Sequence, residues 1–88
     1  MIVLTDFYAE WCGPCDMQDR IMEELKKKYK DRITFLKIDI DENGALADKY
    51  NVRAIPTLII EKDGEIIKKY VGLTELKILE KDLEDLLK

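Results

Sequence analysis

Apolar residues along this chain switch between alternation and a three-to-four-residue rhythm, and each switch marks the edge of an element. Ile2 to Phe7 is a short β-rich run bounded by AEWCGP, which predicts a buried strand. From Cys15 to about Tyr29 the rhythm changes. Met17, Ile21, Leu25 and Tyr29 fall every four positions with Met22 beside them, the pattern of one helix face. Pro14 stands at the first turn, where its missing N–H loses no partner. Ile33 to Ile40, ITFLKIDI, predicts a second strand, and DENG breaks it. Gly44 to Tyr50 predicts a short helix with Asn43 as its cap. PTLIIE predicts a third strand opening at Pro56, a position that tolerates a residue with no N–H. Asp63-Gly64 between two β-rich runs predicts a hairpin into EIIKKYV, which Gly72 ends. Thr74 then caps a last helix carrying Leu76, Leu79, Leu83, Leu86 and Leu87 on one face.

The resulting order is β-α-β-α-β-β-α. A helical crossover between the first two strands predicts that they run parallel, with a right-handed connection. The last two strands form an antiparallel hairpin. The expected fold is therefore α/β: a four-stranded mixed sheet flanked by three helices, with cover on both faces.

Length and charge narrow the function. A chain of 88 residues predicts one domain, residues 1–88, with room for one core. Charged residues make up 39% of the chain in both signs, and the net charge is -4. Lys26, Lys27 and Lys28 lie among acids in a helical pattern and read as a solvated face, so no nucleic-acid partner is expected. No apolar run approaches the ~20 residues of a membrane span. The start, Met1-Ile2-Val3-Leu4-Thr5-Asp6, has no basic n-region or cleavage site, which makes the cytoplasm the expected compartment. The absence of histidine removes the commonest general base and metal ligand.

Both cysteines of the chain stand in FYAEWCGPCDM, separated by Gly13 and Pro14. Half of a zinc or iron–sulfur site would need two more ligands, which only a second copy of the chain could supply. A structural disulfide across so short a loop would restrain the unfolded chain little. Thiol–disulfide chemistry suits the pattern best. Cys12 falls just before a helix, where unpaired N–H groups and the helix dipole favour the thiolate that attacks. Cys15, in the first turn, is expected to be more buried and less reactive. Asp6 lies in an otherwise apolar strand on the side of Ile2 and Leu4, and Lys37 alternates with Ile33 and Phe35. Burial raises the pKa expected of Asp6, and a close Lys37 holds it down. A buried ion pair and a proton-handling acid are both open for these two.

DFYAEWCGPC, AIPT around Pro56, and DGE ahead of Gly72 resemble the thioredoxin family over essentially the whole chain. The resemblance implies the thioredoxin fold and a disulfide reductase that needs no bound cofactor or metal. Cys12 would form a mixed disulfide with the substrate, and Cys15 would resolve it. Asp6 matches the buried acid that exchanges a proton with the second cysteine, and Lys37 the lysine beside it. Pro56 matches the family's cis-proline, whose neighbour Ile55 pairs with the substrate backbone. Trp11, Gly13, Pro14, Val71, Gly72 and Leu73 match the rest of the rim that receives the partner. The implied partners are disulfide-containing proteins and a separate reductase-type electron donor, met by a monomer.

The chain departs from that family in three places. It starts at what resembles the family's second strand, so that the run from Ile33 becomes a sheet edge. Asp16 follows the second cysteine where a basic residue is usual, and Arg20 replaces a helix-kinking proline. A disulfide oxidase or isomerase is a neighbouring reading, although Gly-Pro between the cysteines favours reduction. A redox-dependent binding subunit is the alternative outside enzymes.

Overall fold

A computed structural model describes all residues from Met1 to Lys88. The elements are β1 (Ile2–Tyr8), α1 (Gly13–Tyr29), β2 (Ile33–Asp39), α2 (Gly44–Lys49), β3 (Thr57–Lys62), β4 (Glu65–Val71) and α3 (Leu76–Leu87). They form one four-stranded sheet in the order β2-β1-β3-β4. β1 is parallel to β2 and antiparallel to β3, and β3 is antiparallel to β4. The expected element order and mixed sheet are both present, with β2 at an edge. The tight hairpin follows from Asp63 and Gly64, whose φ of 53° and 84° give the left-handed pair that a two-residue turn needs.

Strand parity sorts the core. Ile2, Leu4, Ile33, Leu58 and Ile60 pack with Met22, Leu25, Tyr29, Leu79 and Leu83, so α1 and α3 cover one face. On the other face Phe7 lies with its ring centroid 5.6 Å from that of Tyr50, which ends α2. Each fully buried Leu contributes about 1.5–3 kcal/mol, and all of them, Leu4, Leu25, Leu58, Leu79 and Leu83, belong to the face under α1 and α3.

Three local expectations fail. The buried stripe of α1 is Cys15, Gln18, Met22, Leu25 and Tyr29, while Met17 is half exposed. Asn43 stands at the N-cap of α2 without a side-chain cap; its Nδ2–H donates to the Asp39 carbonyl at 3.1 Å. Thr74 does not cap α3. The N-cap is Glu75, and the Thr74 hydroxyl donates back to the Gly72 carbonyl at 3.1 Å.

Candidate redox site

Strand register brings three distant segments to one end of the sheet. Phe7 lies opposite Thr57, and Thr57 opposite Val71. The end of β1, the start of β3 and the end of β4 are thus neighbours. Cys12 follows the first, Ile55 and Pro56 precede the second, and Gly72 and Leu73 follow the third.

Cys12 is the N-cap of α1, with extended backbone, and Cys15 sits in the helix's first turn. The two are joined as a disulfide with Cα atoms 5.3 Å apart. The Cys15 N–H donates to Cys12 Sγ at 3.2 Å. Sulfur thus occupies the place where Ser or Asp oxygen usually meets a helix's free N–H groups. Both cysteines are about equally buried, at 5% and 4% exposure, so Cys15 is not the deeper one as expected. They cluster with Ala9, and Tyr8, Ile40 and Ile55 pack against them.

Large apolar side chains are exposed at this end of the sheet. Trp11, Val71 and Leu73 are 69%, 65% and 48% exposed. Trp11 is held by its Nε1–H, which donates to Asp41 Oδ2 at 2.8 Å. Gly13 and Pro14 open α1 on the exposed side. The Ile55–Pro56 peptide bond is cis, and Pro56 is buried. Gly72, at φ 89°, donates its N–H to the Pro56 carbonyl at 2.8 Å. A shallow groove of about 340 Å³ runs between Trp11, Ile40, Val52, Arg53, Ala54 and Ile55. The expected rim residues therefore converge, with Trp11 and Ile55 lining the groove and Val71, Gly72 and Leu73 beside Pro56.

Asp6 and Lys37 lie opposite each other in register. Their side chains nevertheless part. Asp6 is only 2% exposed, and its Oδ1 has no hydrogen-bond partner. Burial pushes its pKa up to about 6; Lys37 opposes the shift and Asp19 adds to it. Lys37 belongs to the edge strand, remains half exposed, and pairs with Asp19 Oδ1 at 3.0 Å. Its ammonium also lies 4.4 Å from the Tyr8 ring centroid. A buried Asp6–Lys37 pair is therefore absent. A cavity of about 70 Å³ reaches Asp6 between Asp19, Met22, Phe35 and Lys37.

Sequence reasoning missed Gln18, Asp19 and Asp41. Gln18 was detectable, because it completes the three-then-four spacing from Cys15 to Tyr29. Asp19 and Asp41 act through partners 18 and 30 residues away, and no local pattern marks them.

A Cys-Gly-Pro-Cys disulfide at a helix N-terminus, with exposed apolar side chains at the same end of the sheet, defines a thiol–disulfide exchange site. The chain matches the Thioredoxin family model over residues 1–85. It is 46% identical over 79 residues to thioredoxin from Bacillus subtilis, covering 90% of this chain and 76% of that protein. Among solved structures, a thioredoxin variant from Halobacterium salinarum superposes with a TM-score of 0.88 at 44% identity, covering 96% of this chain and 73% of the other. The oxidised mitochondrial thioredoxin 3 of Saccharomyces cerevisiae gives 0.86 at 39% identity, covering 96% and 77%. The chain belongs to the thioredoxin family. Its activity follows from that membership and the Cys12–Cys15 pair: it is a thiol–disulfide oxidoreductase that reduces protein disulfides. No helix is long and apolar enough to cross a membrane.

Proposed function

We propose that residues 1–88 act as a monomeric, single-domain reductase of protein disulfides in the cytoplasm, recharged by a separate reductase. In the reduced form, Cys12 attacks one sulfur of the substrate disulfide as a thiolate. The substrate's other sulfur leaves as a thiolate and takes up a proton. Asp6 accepts the Cys15 proton, and Cys15 attacks Cys12 Sγ. The second substrate sulfur then leaves, two electrons have passed to the substrate, and the Cys12–Cys15 disulfide remains. Lys37 tunes Asp6 by its charge.

The observation that carries this reading is the N-cap sulfur. The Cys15 N–H meets Cys12 Sγ at 3.2 Å, where helix N–H groups and dipole favour negative charge. Ile55 beside cis-Pro56 offers a substrate backbone an edge to pair with, and Trp11, Gly13, Pro14, Val71, Gly72 and Leu73 form the apolar rim that excludes water from the exchange. Asp6 supports its role by being buried, partly unsatisfied and titratable near neutrality.

The reduction potential of the Cys12–Cys15 pair, measured by equilibration with defined thiol–disulfide buffers, tests the proposal. The established reference is about -270 mV for thioredoxin and about -180 mV for disulfide isomerase. A value near or below the first is expected. A value near the second would assign the protein to oxidation or isomerisation.

A further inference from the structure

We infer that Gln18 is a positioning residue for partner capture, gripping the backbone of Thr74 so that the Val71–Leu73 rim is held ready for a protein disulfide. This rests on the reading of that rim as the docking surface.

Gln18 is fully buried in α1, three residues beyond Cys15 and on the same face. Its carboxamide meets both backbone polar groups of Thr74. The Thr74 N–H donates to Oε1 at 2.8 Å, and Nε2–H donates to the Thr74 carbonyl at 3.1 Å. The side chain thus behaves like one residue of a neighbouring strand, across 56 positions of sequence. An apolar residue of the same size would fill the space but leave two backbone groups buried without partners.

The grip acts on the rim because of what lies next to Thr74. Leu73 sits between two pinned residues: Gly72, bonded to the Pro56 carbonyl at 2.8 Å, and Thr74, bonded to Gln18. The Thr74 hydroxyl closes the turn onto the Gly72 carbonyl at 3.1 Å. Glu75 makes no side-chain cap on α3; its carbonyl accepts the Leu79 N–H at 3.3 Å, a bond within the helix that does not reach Leu73. Gln18 therefore fixes Leu73 relative to the helix that carries both thiols. A rim already ordered spares the partner the conformational entropy of arranging it. Docking of a protein gains from that order. Attack on a small disulfide, which needs only the sulfurs, does not.

The experiment compares insulin with the small chromogenic disulfide dithiobis-nitrobenzoate in Gln18→Met, which keeps the volume and removes both bonds. KM for insulin is expected to rise about tenfold with kcat nearly unchanged, equivalent to about 1.4 kcal/mol of binding. The rate with the small disulfide and the reduction potential stay at the parent values, and the Thr74 amide exchanges faster with solvent. A parallel fall with both substrates would make Gln18 purely structural and overturn the inference. An unchanged insulin KM alongside a freed Thr74 amide would overturn it too.

Should Gln18→Met not fold, Gln18→Glu asks the same question. A protonated carboxyl can donate to the Thr74 carbonyl while accepting from its N–H, and an ionised one repels that carbonyl. The ratio of insulin to small-disulfide rates, in which thiolate ionisation cancels, is expected to recover as pH falls; a flat, parent-like ratio overturns the inference. Leu73→Ser separates the two readings. No effect of Leu73→Ser on insulin KM removes the rim from docking altogether. A raised KM there with none in Gln18→Met leaves the rim and removes the clamp.

Discussion

Two polar side chains are sealed beneath α1, and the fold treats them in opposite ways. Gln18 has both amide atoms hydrogen-bonded to Thr74. Asp6, similarly buried, leaves Oδ1 bare while its natural counter-ion pairs elsewhere. A satisfied buried group costs little and fixes geometry; an unsatisfied ionisable one costs stability and has its pKa shifted. The comparison extends to the far end of the helix. There Tyr29, also buried, donates its hydroxyl to Glu84 Oε2 at 2.6 Å and takes no part in the redox site.

Asp6→Asn offers the largest test of this contrast. Below the ordinary carboxylate pKa of 3.8, folded and unfolded states both hold the proton and the burial penalty is absent. Between 3.8 and about 6 the unfolded state releases its proton first, so stability falls as pH rises and then levels off. Asp6→Asn abolishes that fall and stabilises the protein at pH 7 by up to about 3 kcal/mol, from roughly two pKa units. Denaturant unfolding across the pH series measures it. The same variant slows turnover by up to about a hundredfold, the scale of a well-placed proton carrier. A stable variant with parental turnover would leave Asp6 a structural acid.

Tyr29→Phe gives the contrasting, smaller effect. Loss of the bond to Glu84 destabilises by about 1 kcal/mol, with no change in turnover. Denaturant midpoints and insulin reduction check both halves, and lost turnover would tie the far core to the site. Asp19→Asn is expected to change stability least, by less than about 1 kcal/mol, since its partner Lys37 is half exposed. Its visible result is a lower Asp6 pKa, because an acid is removed and Lys37 is freed to approach. Carboxyl NMR titration would show it, and an unmoved value would make the Lys37–Asp19 pair irrelevant to the site.

The fold was legible because its elements are strongly patterned. Asp63-Gly64 specified the hairpin, Gly72 ended β4, and the leucines of α3 marked its core face. The thiol pair and its position at a helix start were legible for the same local reason. The face of α1 was misread because a strict four-residue step overshoots one turn by about 40°. Followed back from Tyr29, that drift carries Met17 into solvent and hides Gln18, which lies on the true stripe. Thr74 looked like a cap by residue type, but its backbone was committed to Gln18, a tertiary fact. Lys37 had the right register opposite Asp6. Its place on the edge strand let solvent and Asp19 take the ammonium, which no local pattern could show.

The central position of β1 has a consequence for biosynthesis. Its residues are made well before their antiparallel partners in β3, which follow about fifty residues later. At roughly 5–20 residues per second, the ribosome leaves that strand waiting for several seconds. Until β3 arrives, Leu4 and Phe7 lack the partner strand that covers one flank, and Cys12 and Cys15 trail from an unfinished sheet. The nascent chain thus passes through an interval in which its thiols are made but Pro56 and the Val71–Leu73 part of the rim, which would select what approaches them, are not.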